Sequence, residues 1–146
     1  STVASPAGQA FVPTLTLAEI FADKVYALGA RDRIKPRDVF DLSWLCEKES
    51  PLLTIKALHT RLEIYPARSG DVIDTANAWL ANAEDRLDDL RAPAAARKMA
   101  NDLKRWLPSS WPMNEKTATD MLQPAIEQLE AGMKLMRDFV FEQGAR

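Results

Sequence analysis

Apolar residues return every three or four positions through most of the chain, and this spacing restricts the fold more than any other feature. Leu17, Phe21, Val25 and Leu28 mark one stripe, and Val72, Ala76, Trp79, Leu80, Ala83 and Leu87 mark another. Met99, Leu103, Trp106 and Leu107 form a third, and Met121, Leu122, Ile126, Leu129, Met133, Met136, Phe139 and Val140 a fourth. A period near 3.6 residues buries one face of a helix. Strand-like alternation is scarce and the 146 residues include only 5 glycines, so the spacing predicts a nearly all-α fold, a bundle of five to six helices.

Helix punctuation places the boundaries. Thr16 with Glu19 is a capping-box pair for a helix over about residues 17–30, and Gly29 before the polar run RDRIK marks its end. Pro36 suits the first position of the next helix, with Asp38 in its first turn, where the helix dipole favours negative charge. That helix runs to about Lys48, and Val39, Phe40, Leu42, Trp44, Leu45 and Cys46 make it apolar nearly all round, which predicts burial on every face. A short helix stopped by Pro66 follows, then a longer one capped by Ser69, then one that begins near Pro93 and stops before Pro108 and Pro112. In the last segment, from about Thr117 to Gln143, Pro124 is expected to kink or restart the helix. Residues 1–14 read as a linker or extended lead-in with room for one short strand, which Pro13 confines to an edge. The helical domain is expected over 15–146.

Composition narrows the function classes. With 47% hydrophobic and 27% charged residues the chain has the means to bury a core, which excludes a disordered polymer. A net charge of −2 gives no global attraction to nucleic acid or anionic lipid, so any such contact needs a local patch. A single cysteine, Cys46, allows no internal disulfide, and no apolar run approaches the roughly 18 residues of a membrane span; a reducing cytoplasm is the expected compartment. The stretch RAPAAARKMANDLKRWLPSSWP carries Arg91, Arg97, Lys98, Lys104 and Arg105 with Trp106 and Trp111, a combination able to meet an RNA backbone and stack on a base. Its plainer reading is a solvated basic face with the tryptophans in the core. His59 has no second histidine or cysteine near it, so no metal site is expected there. Cys46 and the methionines of the last segment read as core.

The segment FADKVYALGARDRIKPRDVFDLSWL keeps Lys24, Arg31, Arg37, Asp38 and Asp41 at fixed offsets within its most apolar surroundings. Burying a charge costs several kcal/mol, on the order of the whole gain from one core side chain, unless a partner compensates it. These charges are therefore either a lock between helices or a site. Lys24, Ala27 and Arg31 fall on one stripe beside Phe21, Val25 and Leu28, and the small Ala27 leaves room for a ligand between the two cations. Asp41, between Phe40 and Leu42, needs a counter-charge, and Lys24 is the candidate, so the two are expected to converge from neighbouring helices. Phosphoryl and nucleotidyl transfer need cations at the triphosphate, because charge grows on its oxygens in the transition state. Lys24 is a compact cation for that task, and Arg31 or Arg37 offers a planar fork.

Lys24, Ala27 and Arg31 spell K-x-x-A-x-x-x-R, and Asp38, Asp41, Leu42 and Leu45 spell D-x-x-D-L-x-x-L, preceded by Arg37. In that order, within LAEIFADKVYAL and PRDVFDLSWL, they resemble the C-terminal motif pair of the AbiEii family of nucleotidyltransferase toxins, over about residues 12–48. The resemblance implies the C-terminal helical part of a larger α/β nucleotidyltransferase of a phage-defence toxin–antitoxin system. Such a protein would transfer a nucleotide from a nucleoside triphosphate (NTP), with Mg2+, to an acceptor such as tRNA, and a cognate antitoxin would counter it. By the same resemblance Lys24 and Asp41 are catalytic, and Arg31, Arg37 and Asp38 are candidates for substrate contact. The implied upstream half holds a glycine-serine nucleotide motif and a D-x-D pair for magnesium, neither of which occurs in this sequence, so this chain alone is expected to be inactive. The competing expectation is a non-enzymatic helical interaction module in which Lys24 and Asp41 form a structural lock.

Overall fold

The computed structural model describes residues 2–4, 11–13, 16–49 and 51–144. Two three-residue strands, β1 (Thr2–Ala4) and β2 (Phe11–Pro13), pair antiparallel with Thr2 opposite Pro13, Val3 opposite Val12 and Ala4 opposite Phe11. One strand was expected here; pairing requires two. The rest of the lead-in expected over 1–14 lies outside the described residues.

Among the described residues six helices follow: α1 (Leu17–Ala30), α2 (Pro36–Glu49), α3 (Ile55–Ile64), α4 (Val72–Arg91), α5 (Ala95–Leu103) and α6 (Glu115–Gly144). The architecture is the expected nearly all-α bundle. At the start of α1 the Thr16 hydroxyl accepts the Glu19 N–H at 3.1 Å and donates to Glu19 Oε1 at 3.0 Å, so the predicted capping pair forms. Such a cap contributes about 1 kcal/mol. Pro36 is the first residue of α2. The cap of α4 is Asp71, not Ser69: Asp71 Oδ1 accepts the Ile73 N–H at 2.8 Å, while Ser69 Oγ takes the N–H of Asp71 itself at 3.2 Å. A carboxylate at that position gains from the helix dipole as well as from the hydrogen bond. The last helix runs unbroken through Pro124, because Leu122, Ala125 and Leu129 stay buried on both sides of it and packing outweighs the one lost hydrogen bond.

Phe21, Val25 and Leu28 of α1 are fully buried against Val39 and Leu42 of α2, Leu58 and Leu62 of α3, and Leu129, Met133 and Met136 of α6. Gly29 stands one residue before the end of α1, as expected. It lies in the last turn, where a Cβ would sit 2.7 Å from the Trp79 ring, so its role is to admit α4 at close range. The expectation that α2 is buried on every face fails. Asp38, Val39, Leu42 and Leu45 face the core, whereas Phe40 and Cys46 are half-buried and Trp44 keeps 46% of its surface exposed. This helix packs on α1, α5 and α6 with one side only, and its remaining apolar side chains meet solvent and the segment after α5.

Candidate functional site

The two motifs meet where α1 and α2 lie side by side. Lys24 Nζ donates to Asp41 Oδ2 at 2.9 Å, and Arg31 Nε donates to Asp38 Oδ2, with Arg31 Nη2 a further 3.5 Å from Oδ1. The structure therefore brings Lys24 and Asp41 together from neighbouring helices, and the arginine and first aspartate of the motifs make a second pair.

The environments of these pairs differ. Lys24 and Asp41 side chains are 33% and 31% exposed, because both project from the rims of the buried faces of their helices. Asp41 was expected in an apolar interior; it stands instead at the edge, since a 100° step per residue puts Asp38, not Asp41, in line with the core residues Leu42 and Leu45. Asp38 is the buried carboxylate, with 4% of its side chain exposed.

Arg31 is held in place from behind. As the C-cap residue of α1, it gives its backbone N–H to Ala27 O at 3.1 Å. Its carbonyl accepts Asn82 Nδ2 and Arg86 Nη1 of α4, both at 2.8 Å, and Asn82 also reaches Gly29 O at 2.6 Å. Trp79 Nε1 donates to the Tyr26 carbonyl at 2.9 Å. Side chains of α4 thus satisfy the last carbonyls of α1, and a cation at that end also suits the helix dipole.

Arg37 joins neither pair. It is exposed one turn before Asp41, and its guanidinium lies 5.4 Å over the Trp106 ring, a cation–π contact worth about 0.5–1 kcal/mol at an exposed position. The tryptophans of the basic segment are not core. Trp106 and Trp111 are 43% and 42% exposed and pack against Phe40 of α2, with ring centroids 6.1 and 5.5 Å away. Between Trp111 and α1 runs a groove of about 560 Å³ whose walls include Ile20, Lys24, Phe40, Asp41, Trp44 and Trp111. Ala27, on the other flank of the cation stripe, opens on a smaller groove of about 440 Å³ with Asp23, Tyr26, Ala30, Arg31 and Tyr65.

Sequence reasoning passed over three contributors. Arg61 is 3% exposed and reaches Glu19 O and Asp23 Oδ1, each at 3.3 Å; Arg86 and Asn82 hold the end of α1. The signal for Arg61 and Arg86 lay in the helical period, since Arg61 continues Ala57, Leu58 and Leu62, and Arg86 continues Trp79, Ala83, Leu87 and Leu90. His59 makes a local contact to Glu63 at 3.1 Å and an edge contact to Phe139. The Cys46 thiol is pushed above its ordinary pKa by burial and then by Glu127, which makes it a poor nucleophile. Among the described residues no group of three or more His, Cys, Asp or Glu side chains converges to hold a metal ion, and the two motif carboxylates are both taken by cations. The residues present therefore do not fit a magnesium site. No helix among the described residues is long and apolar enough to cross a membrane.

These features define a helical domain that presents an accessible lysine–aspartate pair at the edge of an aromatic groove. Residues 1–129 match the family model of the nucleotidyl transferase AbiEii toxin, type IV toxin–antitoxin system, and the chain belongs to that family. Membership implies a cognate antitoxin. Among curated proteins and among solved structures nothing matches it.

Proposed function

We propose that this domain is the C-terminal helical part of a nucleotidyltransferase toxin and supplies the cationic side of the transfer site. The carrying observation is the Lys24–Asp41 pair: 2.9 Å long, one third exposed, and open to a groove. An ammonium in that setting exchanges its carboxylate for triphosphate oxygens at little cost, whereas a buried one would not leave its partner. Asp41 holds Lys24 in place until substrate arrives. Arg31 keeps N–H groups beyond those given to Asp38 but lines the neighbouring groove, where it is a candidate for a further substrate contact, and Arg37 stands on the α2 face that carries Asp41.

On this reading the intact toxin acts in the cytoplasm in phage defence. It takes its nucleotide from an NTP, passes it to an acceptor such as the 3′ end of tRNA, and is countered by its antitoxin. Magnesium is assigned to acidic residues outside this sequence, and the 146-residue chain alone transfers nothing. The test incubates full-length toxin with labelled triphosphates, magnesium and total tRNA. Lys24→Ala should abolish incorporation, since losing a phosphate-binding cation removes several kcal/mol, about two or more powers of ten in rate. Full activity in Lys24→Ala would leave the pair a structural lock and support the interaction-module reading. Incorporation by the isolated chain, surviving heat-killed and Lys24→Ala controls, would overturn the assignment of the metal site to other residues.

A further inference from the structure

Trp79, Tyr26 and Tyr65 form a row of near-parallel rings: Trp79 and Tyr26 are 5.6 Å apart and 15° from parallel, Tyr26 and Tyr65 5.9 Å and 18°. Trp79 and Tyr26 are buried, but Tyr65 is 54% exposed, so the row stops at a ring with π surface left over. Tyr65 lines the groove of about 440 Å³ together with Tyr26, Ala27, Ala30, Asp23 and Arg31, a volume within the range of small-ligand sites. The groove therefore offers an aromatic surface, one carboxylate and one guanidinium.

Asp23 is held from the interior. Arg61, with 4% of its side chain exposed, donates from Nη1 to Asp23 Oδ1 and to Glu19 O, each at 3.3 Å, while its Nε has no hydrogen-bond partner among the described residues. A guanidinium buried with an N–H unpaired is a poor device for stability, because that group gives up hydration for nothing. What Arg61 does is fix Oδ1 of a side chain that is 41% exposed, leaving Oδ2 without a partner among the described residues.

We propose that this groove receives the base of the donor nucleotide, stacked on Tyr65, and that Asp23 selects bases carrying an exocyclic amino group (adenine, cytosine or guanine) over uracil. Flipped or unpaired bases are read by stacking on aromatic side chains and by hydrogen bonds to their edges. A carboxylate oxygen accepts from an amino group, whereas the one N–H on the edge of uracil lies between two carbonyl oxygens that a carboxylate repels. Asp23 immediately precedes Lys24, and Ala27 and Arg31 follow one and two turns on, so the groove flanks the cations assigned to the phosphates. An apolar occupant would leave Asp23 Oδ2 and the spare N–H groups of Arg31 unpaired. The inference rests on the transferase reading for the source of the base and adds the residue that chooses among triphosphates.

The experiment measures, on the intact toxin, dissociation constants for ATP, CTP, GTP and UTP by calorimetry without acceptor, and kcat/KM for transfer with each. UTP should bind weakest. Asp23→Asn keeps an oxygen for Arg61 but adds an N–H that a uracil carbonyl can accept, and should narrow the gap between UTP and the others about tenfold. Tyr65→Ala should weaken all four about tenfold and Tyr65→Phe should not, because stacking needs only a ring. Thermal melts establish that each variant is folded, and Tyr65→Ala, at the exposed end of α3, keeps the groove testable should Asp23→Asn unfold. UTP bound as tightly as the rest, a gap indifferent to Asp23→Asn, or affinities unmoved by Tyr65→Ala would each overturn the proposal. Transfer that needs Lys24 while its base preference ignores Asp23→Asn sinks the groove and leaves the transferase reading standing. A gap that closes in binding, with no transfer from any triphosphate, does the reverse.

Discussion

Asp38 and Asp41 lie three residues apart on α2 and each reaches a cation of α1, yet one keeps 4% of its side chain exposed and the other 31%. The Arg31–Asp38 pair closes the α1–α2 corner, with its arginine anchored by α4 and its carboxylate facing the core. The Lys24–Asp41 pair stands one to two turns away at the mouth of a groove. Two ion pairs between the same helices thus serve different ends according to solvent access: water screens the outer pair enough for it to open, while the inner carboxylate is held away from solvent.

The largest stability effect that would break this contrast is at the inner pair. Arg31→Ala strands the buried Asp38 carboxylate and should cost about 3–5 kcal/mol, read as a lower midpoint in urea. A loss below about 1 kcal/mol would place both pairs in the same class. Arg31→Ala with Asp38→Ala should recover part of the loss, because the uncompensated charge is then gone.

A smaller effect is expected at the outer pair. Lys24→Ala or Asp41→Ala should change stability by about 1 kcal/mol or less, since each partner left behind remains hydrated. A cost as large as that of Arg31→Ala would argue for a lock at Lys24 and against an accessible site. The same variants in the intact toxin separate stability from transfer.

The smallest effect concerns the opposite side of α1. Tyr26 is buried and stacks between Tyr65 and Trp79, with ring centroids 5.9 and 5.6 Å away. Burial, and then Tyr65, raise its phenol above the ordinary value of about 10. Folding therefore favours the neutral phenol, and this contribution is complete below pH of about 10 and lost as pH rises through the higher folded-state value. Tyr26→Phe should flatten the alkaline fall in melting temperature. An unchanged alkaline slope would return that fall to other groups, the ion pairs included.

The helical period and the caps at Thr16 and Pro36 were legible in the chain because they depend on neighbours three or four residues apart. So was the meeting of Lys24 with Asp41, since opposite charges on adjoining helices gain by approach. Gly29 does mark the end of α1, but its second constraint, the Trp79 ring, comes from 50 positions later in the chain and had no local signal. Trp106 and Trp111 misled because a tryptophan beside a helical stripe suggests core, and nothing local reveals that they pack on the outer side of α2, against Phe40, and stay more than 40% exposed.

By itself the sequence determined the class of fold, the order of the helices and the identity of the charged motifs, all consequences of local periodicity and residue chemistry. Which of the two aspartates is buried, which cation is anchored and which is free to move, and the joining of the basic tryptophan segment to α2 as one groove were decided only by tertiary packing. Solvent exposure is set by what other helices leave uncovered, and exposure fixes whether an ion pair or an aromatic ring holds the fold or stands ready for a ligand.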